Sequence, residues 1–86
     1  MDKDIIYKHI ISNLYKMLCW REEKKHWQTI YEELITEITF NTYLTDEEKG
    51  NLILKIITLK YVDFAKFRKT IFEVINYAET LRGIQK

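Results

Sequence analysis

Leu44-Thr45-Asp46-Glu47-Glu48-Lys49-Gly50-Asn51-Leu52-Ile53-Leu54-Lys55-Ile56-Ile57-Thr58-Leu59-Lys60-Tyr61 decides the fold class. Thr45 with Glu48 three residues on is a capping box, in which each residue satisfies a free backbone N–H of the other. Asp46 and Glu47 fall where the positive end of a helix dipole favours acids. The reading is a helix over 46–60 that carries Gly50 at a cost of about 1 kcal/mol. A rival reading makes Ile35 to Leu44 and Leu52 to Val62 two strands joined by a turn at Glu48-Lys49-Gly50-Asn51, an α+β fold with a central β-hairpin. The cap, and the spacing of 52/53, 56/57 and 60, favour the helix.

Downstream, Asp63 has the character of an N-cap, with Val62 and Phe67 placed as a hydrophobic staple. A fourth helical face follows through Phe64, Phe67, Ile71, Val74, Ile75, Ala78 and Leu81, expected to stop at Gly83 after Arg82. Upstream, Trp27, Tyr31, Leu34 and Ile38 mark a helix over 25–39 that ends at Thr39-Phe40-Asn41-Thr42-Tyr43, where β-branched and aromatic residues accumulate. The first helix, over 3–20, places Ile6, Tyr7, Ile10, Ile11, Leu14, Met17 and Leu18 together, with Asp2 or Asp4 as its cap. Arg21-Glu22-Glu23-Lys24-Lys25-His26 is polar throughout, and the apolar seam slips by one heptad position across it. Such a slip calls for a turn or for a helix whose halves bury different faces, and a turn is predicted. The expectation is all-α: a small antiparallel bundle of three to four helices, with 1–86 as a single helical domain.

Composition agrees. Of 86 residues, none is Pro and two are Gly, too few for the many turns of an all-β domain. A 47% hydrophobic share with balanced charge argues against disorder. Ile occurs thirteen times and Lys eleven, a bias of AT-rich codons that points to a low-GC bacterium, its mobile elements or a virus. The net charge of +1 supplies no global field for nucleic acid or anionic lipid. No run approaches the ~18 apolar residues of a membrane span, and Met1-Asp2-Lys3-Asp4 does not resemble a secretory leader. The expected location is the cytoplasm, with Cys19 a free thiol packed beside Leu18 and Trp20.

Residues with reactive chemistry are sparse. Glu23-x-x-His26 has the spacing of a di-metal helix motif, but such sites use it twice, and here it occurs once in a solvated run. His9 and His26 share no ligand spacing, and one Cys cannot make a thiolate zinc site. Along one helix His9 lies ten residues from Cys19, too far to activate it at about 1.5 Å per residue. The two glycines are far apart and form no phosphate loop. No catalytic residue, cofactor or metal ligand is therefore assigned, and the chain is expected not to be an enzyme. Lys60, Lys66, Arg68 and Lys69, near the join of the last two helices, are the candidate nucleic-acid patch, in a helix-turn-helix-like element near 60–75. The absence of Gly from that turn and the acids Glu73 and Glu79 argue against it.

The third helix carries more apolar surface than a bundle requires. With Leu52 at zero and about 100° per residue, Leu59, Ile56, Ile53 and Ile57 run from about 340° to 140°, while Tyr61 and Leu54 fall near 180–200°. The apolar arc is about 220°, against the ~100° stripe of an ordinary surface helix. Leu54 and Tyr61 are expected to be left over once the bundle is satisfied. Tyr77 and Trp20 join them as candidate interface residues, because aromatics anchor interfaces with few rotors. The expected function is non-enzymatic protein–protein contact, with another protein or a second copy as partner. Immunity proteins, inhibitors of host enzymes and adaptors are of this kind. A small DNA-binding transcriptional regulator is the alternative.

Overall fold

The computed structural model describes residues 3–84. Four helices follow in order: α1 (Lys3–Glu22), α2 (Gln28–Phe40), α3 (Asp46–Ile57) and α4 (Phe64–Ile84), with a 3-10 turn, Thr58–Tyr61, between the last two. The described residues contain no strand. The hairpin alternative is therefore overturned: its two proposed strands lie mainly in α2 and in α3 with its 3-10 extension, and its proposed turn lies inside the first turns of α3. The deciding device is the cap. The Glu48 N–H donates to Thr45 Oγ1 (3.1 Å), and the Thr45 N–H donates back to Glu48 Oε1 (3.0 Å).

The helices run up, down, up and down. Arg82 near the end of α4 binds Asp4 at the start of α1 (2.8 Å), whereas Arg21 at the end of α1 reaches the start of α4, so this pair is antiparallel. α1 packs most extensively on α4, and α2 and α3 close the ring. The seven residues expected to form the α1 seam are its buried ones, and Ile30, Tyr31, Leu34 and Ile38 bury the facing side of α2, with Trp27 buried at its N-cap. Leu52, Ile56 and Leu59 enter the centre from α3 and its extension, and Phe67, Ile71, Val74, Ile75 and Ala78 from α4. These side chains form one hydrophobic cluster.

The polar run between α1 and α2 is a turn. Its geometry is a Schellman motif: the Lys25 N–H donates to Trp20 O (2.8 Å) and the Lys24 N–H to Arg21 O (3.0 Å). The motif requires a left-handed residue, and Lys24 fills that place with φ 60°. Lys25 Nζ also lies 5.9 Å from the centre of the Trp20 ring, a cation–π contact across the turn. Glycine takes this conformation without a Cβ clash. Lys24→Gly is therefore expected to raise stability by about 1 kcal/mol, read as an increased denaturation midpoint. An unchanged or lowered midpoint would show that Lys24 is not strained.

Several helix ends differ from expectation: α1 runs on to Glu22, α2 begins at Gln28 rather than at 25, after the left-handed Lys24, and α3 gives way at Thr58 to the 3-10 turn rather than continuing to 60. α4 does not stop at Gly83 but passes through it to Ile84, and Gly83 has no positive φ. The last turn is anchored by Arg82, which binds Asp4 on α1 and Glu79 on its own helix, so the backbone stays helical there. At the other terminus the expected cap Asp2 lies outside the described residues, and Asp4 falls inside the first turn of α1. Asp63 does cap α4, its Oδ1 accepting from the Lys66 N–H (2.9 Å), with Val62 against the core and Phe67 buried. Cys19 departs from the packed side chain expected of it: it is free and exposed, because it falls off the α1 seam formed by Met17 and Leu18.

Candidate functional site

The outer side of α3 is the candidate site. Leu52, Ile56 and Leu59 spend the inner side of this segment on the core, and α2 and α4 flank it. On the α2 side Lys60 Nζ lies 5.8 Å from the Tyr31 ring. On the α4 side the Asn51 Nδ2 donates to Tyr77 Oη (3.1 Å). Between these flanks no helix covers the surface. Leu54 is 66% exposed, Tyr61 82% and Ile57 38%. Leu54 and Ile57 are neighbours at i and i+3 on α3, and Tyr61 closes the 3-10 turn that follows them.

Beside these three residues lies an open groove of about 530 Å3, with Leu54, Thr58 and Tyr61 on one wall and Val62, Lys66 and Thr70 on the other. Thr70, on the α4 wall, is buried. Gly50 precedes Leu54 by four residues and is exposed. A Cβ built on it would meet no atom within 4 Å, so the fold itself does not require a glycine there.

Leu54 and Tyr61 thus stand where the helical wheel put them, although Tyr61 belongs to the 3-10 turn. Ile57 was read as covered by the bundle; at about 140° on the wheel it already lay past the arc that neighbours reach. Tyr77 and Trp20 have partners inside the molecule. Tyr77 accepts the Asn51 hydrogen bond and lies 5.9 Å beneath Lys55 Nζ, bracing α3 against α4. Trp20 packs against the core at the α1 terminus, between Lys16 and Lys25.

Three of the four candidate nucleic-acid cations have separate surroundings, and Lys69 is exposed on α4. Lys60 is turned to Tyr31 of α2, Lys66 lines the α3 groove, and Arg68 lies over Phe72, whose ring meets Tyr15 of α1. Among the described residues no three His, Cys, Asp or Glu side chains gather as metal ligands. His9 pairs with Glu37 (3.0 Å), and Glu23 pairs with Lys25 rather than with His26. No helix of the described residues is long and apolar enough to cross a membrane. Comparison with protein-family models, curated proteins and solved structures gives no match.

Sequence reading missed two sets of contacts that hold the scaffold of the site. Arg21, at the end of α1, is bound to the junction from which α4 departs: its Nη2 donates to Val62 O (3.0 Å), and its guanidinium lies 4.4 Å from the Phe67 ring centre. Glu48 does more than cap α3. Its carboxylate also accepts from Lys3 (2.9 Å) and from the Tyr7 hydroxyl, joining the starts of α1 and α3. The capping box was legible as a local pattern, but the partners forty and more residues away left no local signal.

Proposed function

We propose that the protein is a small, non-enzymatic interaction module that docks on another protein surface through the outer side of α3. The observation that carries this reading is the exposed row of Leu54, Ile57 and Tyr61 beside an apolar groove. Scattered exposed apolar residues are ordinary on any protein, but a contiguous row with a groove is the usual mark of a docking surface. Burial of one Leu side chain is worth about 1.5–3 kcal/mol, so a partner covering Leu54 gains appreciable affinity from that residue alone. An immunity protein, an inhibitor or an adaptor from an AT-rich bacterial, mobile-element or viral genome is the kind of module this reading describes. With Lys60, Lys66 and Arg68 in separate surroundings, the DNA-binding alternative has no comparable support.

Leu54→Glu tests the reading. The side chain is mostly in solvent, so the variant is expected to keep its helical circular dichroism and its denaturation midpoint to within about 0.5 kcal/mol. Its association with a partner, followed by cross-linking or co-purification, is expected to drop at least tenfold. A variant that unfolds would place Leu54 in the core, and a folded variant with undiminished association would move the interface elsewhere.

A further inference from the structure

We propose that the occupant of the α3 face is a second copy of the same chain, docked antiparallel about a two-fold axis between Ile53 and Leu54. This rests on the reading of α3 as the docking surface and goes further by naming the partner. The argument is charge. Asp46 and Glu47, both exposed, lie in the first turn of α3, about two turns before Leu54, whereas the exposed Lys60 adjoins Tyr61 and the exposed Lys66 lines the groove beside it. Among the described residues none of these four side chains forms an ion pair. An outer face of α3 that is acidic at its N-terminal end and basic at its C-terminal end is complementary to itself only when reversed. A two-fold interface presents the same patch twice, and an antiparallel pair sets the acids of each copy against the lysines of the other at both ends. A parallel pair would set like against like. In the middle, Lys55 and Glu73 line the same groove with opposite charges and leave no net field.

The same axis accounts for the glycine. It puts Gly50 opposite Ile57 of the second copy and the two Leu54 side chains near the centre. Within one chain nothing lies within 4 Å of a Gly50 Cβ, while a glycine inside a helix lowers its stability. A neighbour that needs the space for its Ile57 supplies the missing reason.

Sedimentation equilibrium of the whole chain between about 1 μM and 1 mM, the range of weak to moderate affinity, reads the association directly. The expected result is a monomer–dimer equilibrium that weakens with added salt, because the end contacts are exposed ion pairs. Leu54→Glu is expected to be monomeric across the range. Gly50→Gln is expected to keep or increase helix stability and yet to weaken the dimer. The decisive pair is Asp46→Lys/Glu47→Lys and Lys60→Glu/Lys66→Glu. Each is expected to self-associate about tenfold or more weakly than the parent. An equimolar mixture of the two is expected to recover association as a heterodimer, since each end then pairs opposite charges. Should the first variant lose its helix, Lys60→Glu/Lys66→Glu and the salt titration carry the test, because they leave the first turn of α3 intact. A chain that stays monomeric to 1 mM overturns the second copy as occupant. It leaves the broader docking reading to stand or fall on whether Leu54→Glu abolishes binding to another protein. A dimer indifferent to Leu54→Glu, or one that Lys60→Glu/Lys66→Glu leaves equally strong, uses another face and also overturns the proposal.

Discussion

Glu48→Ala is expected to cost about 3 kcal/mol and to flatten the acid limb of the stability profile. Three losses coincide. The Thr45 N–H loses its acceptor, and caps of this kind are worth about 1 kcal/mol. The fully buried Tyr7 loses the acceptor of its hydroxyl, and an unsatisfied buried group costs about 1–3 kcal/mol. The ion pair with Lys3 adds up to about 1 kcal/mol. Tyr7→Phe placed on the alanine variant removes the orphaned hydroxyl, so the double variant is expected to be more stable than additivity predicts.

The pH dependence follows from the same contacts. Burial alone raises the Glu48 pKa, but Lys3, Tyr7 and Thr45 outweigh it and hold the carboxyl at about 2 instead of 4.5. A carboxylate whose pKa is lower in the folded state stabilises above the unfolded value and ceases to do so as pH falls to the folded one. Stability is therefore expected to fall from about pH 4.5 toward pH 2. Asp4, lowered by its hydrogen bond to Arg82, adds to the loss in acid. Tyr7 acts at the opposite limit. Burial, then Glu48, raises its pKa, so its contribution is present below pH 10 and is lost as pH rises above it. Glu48→Gln, which retains an acceptor for the cap, is expected to cost less than alanine while still removing most of the acid limb. Urea midpoints from pH 2 to 7 check both variants. An unaltered acid limb in Glu48→Gln would refute the assignment.

Arg21→Ala is the second large effect, also about 3 kcal/mol. The guanidinium lies among Phe67, Trp27 and Phe64, with ring centres at 4.4, 5.4 and 6.0 Å. A desolvated cation over aromatic faces is worth about 2 kcal/mol, and a hydrogen bond from a charged donor to a carbonyl about 1.5–3. Against these gains stands Nη1, which is buried without a hydrogen-bond partner. The opposing terms separate by substitution. Arg21→Met keeps apolar contact with the rings and removes the orphaned N–H, so it is expected to lose about half as much as alanine. Arg21→Lys loses the planar fork and is expected to resemble alanine more than methionine. Equal midpoints for the parent and the alanine variant would remove Arg21 from the joint between α1 and α4.

The positions of the helices were legible because their causes are local. The Thr45–Glu48 cap depends on four consecutive residues, and the seam from Ile6 to Leu18 on the helical period alone. The two leftover residues, Leu54 and Tyr61, were legible for a related reason: an apolar arc of about 220° exceeds what neighbouring helices can cover. The chain itself therefore determined an all-helical fold, the residues that build its core and the helix whose outer side is in surplus.

The tertiary structure decided what depends on partners distant in sequence. The cap residue Glu48 receives Lys3 and Tyr7 only because α1 and α3 run in the same direction, so that their N-termini meet at one end of the bundle. Arg21 is a charged residue in a charged run, and nothing beside it announces the aromatic rings that the start of α4 brings to it. Gly83 has the local character of a helix stop, but an anchor on α1 seventy-eight residues away keeps that turn helical. Tyr77, alone on a wheel, reads as a free aromatic until Asn51 of α3 is set against it. In each case local preference is worth about 1 kcal/mol or less, and a buried or paired contact formed by packing exceeds it.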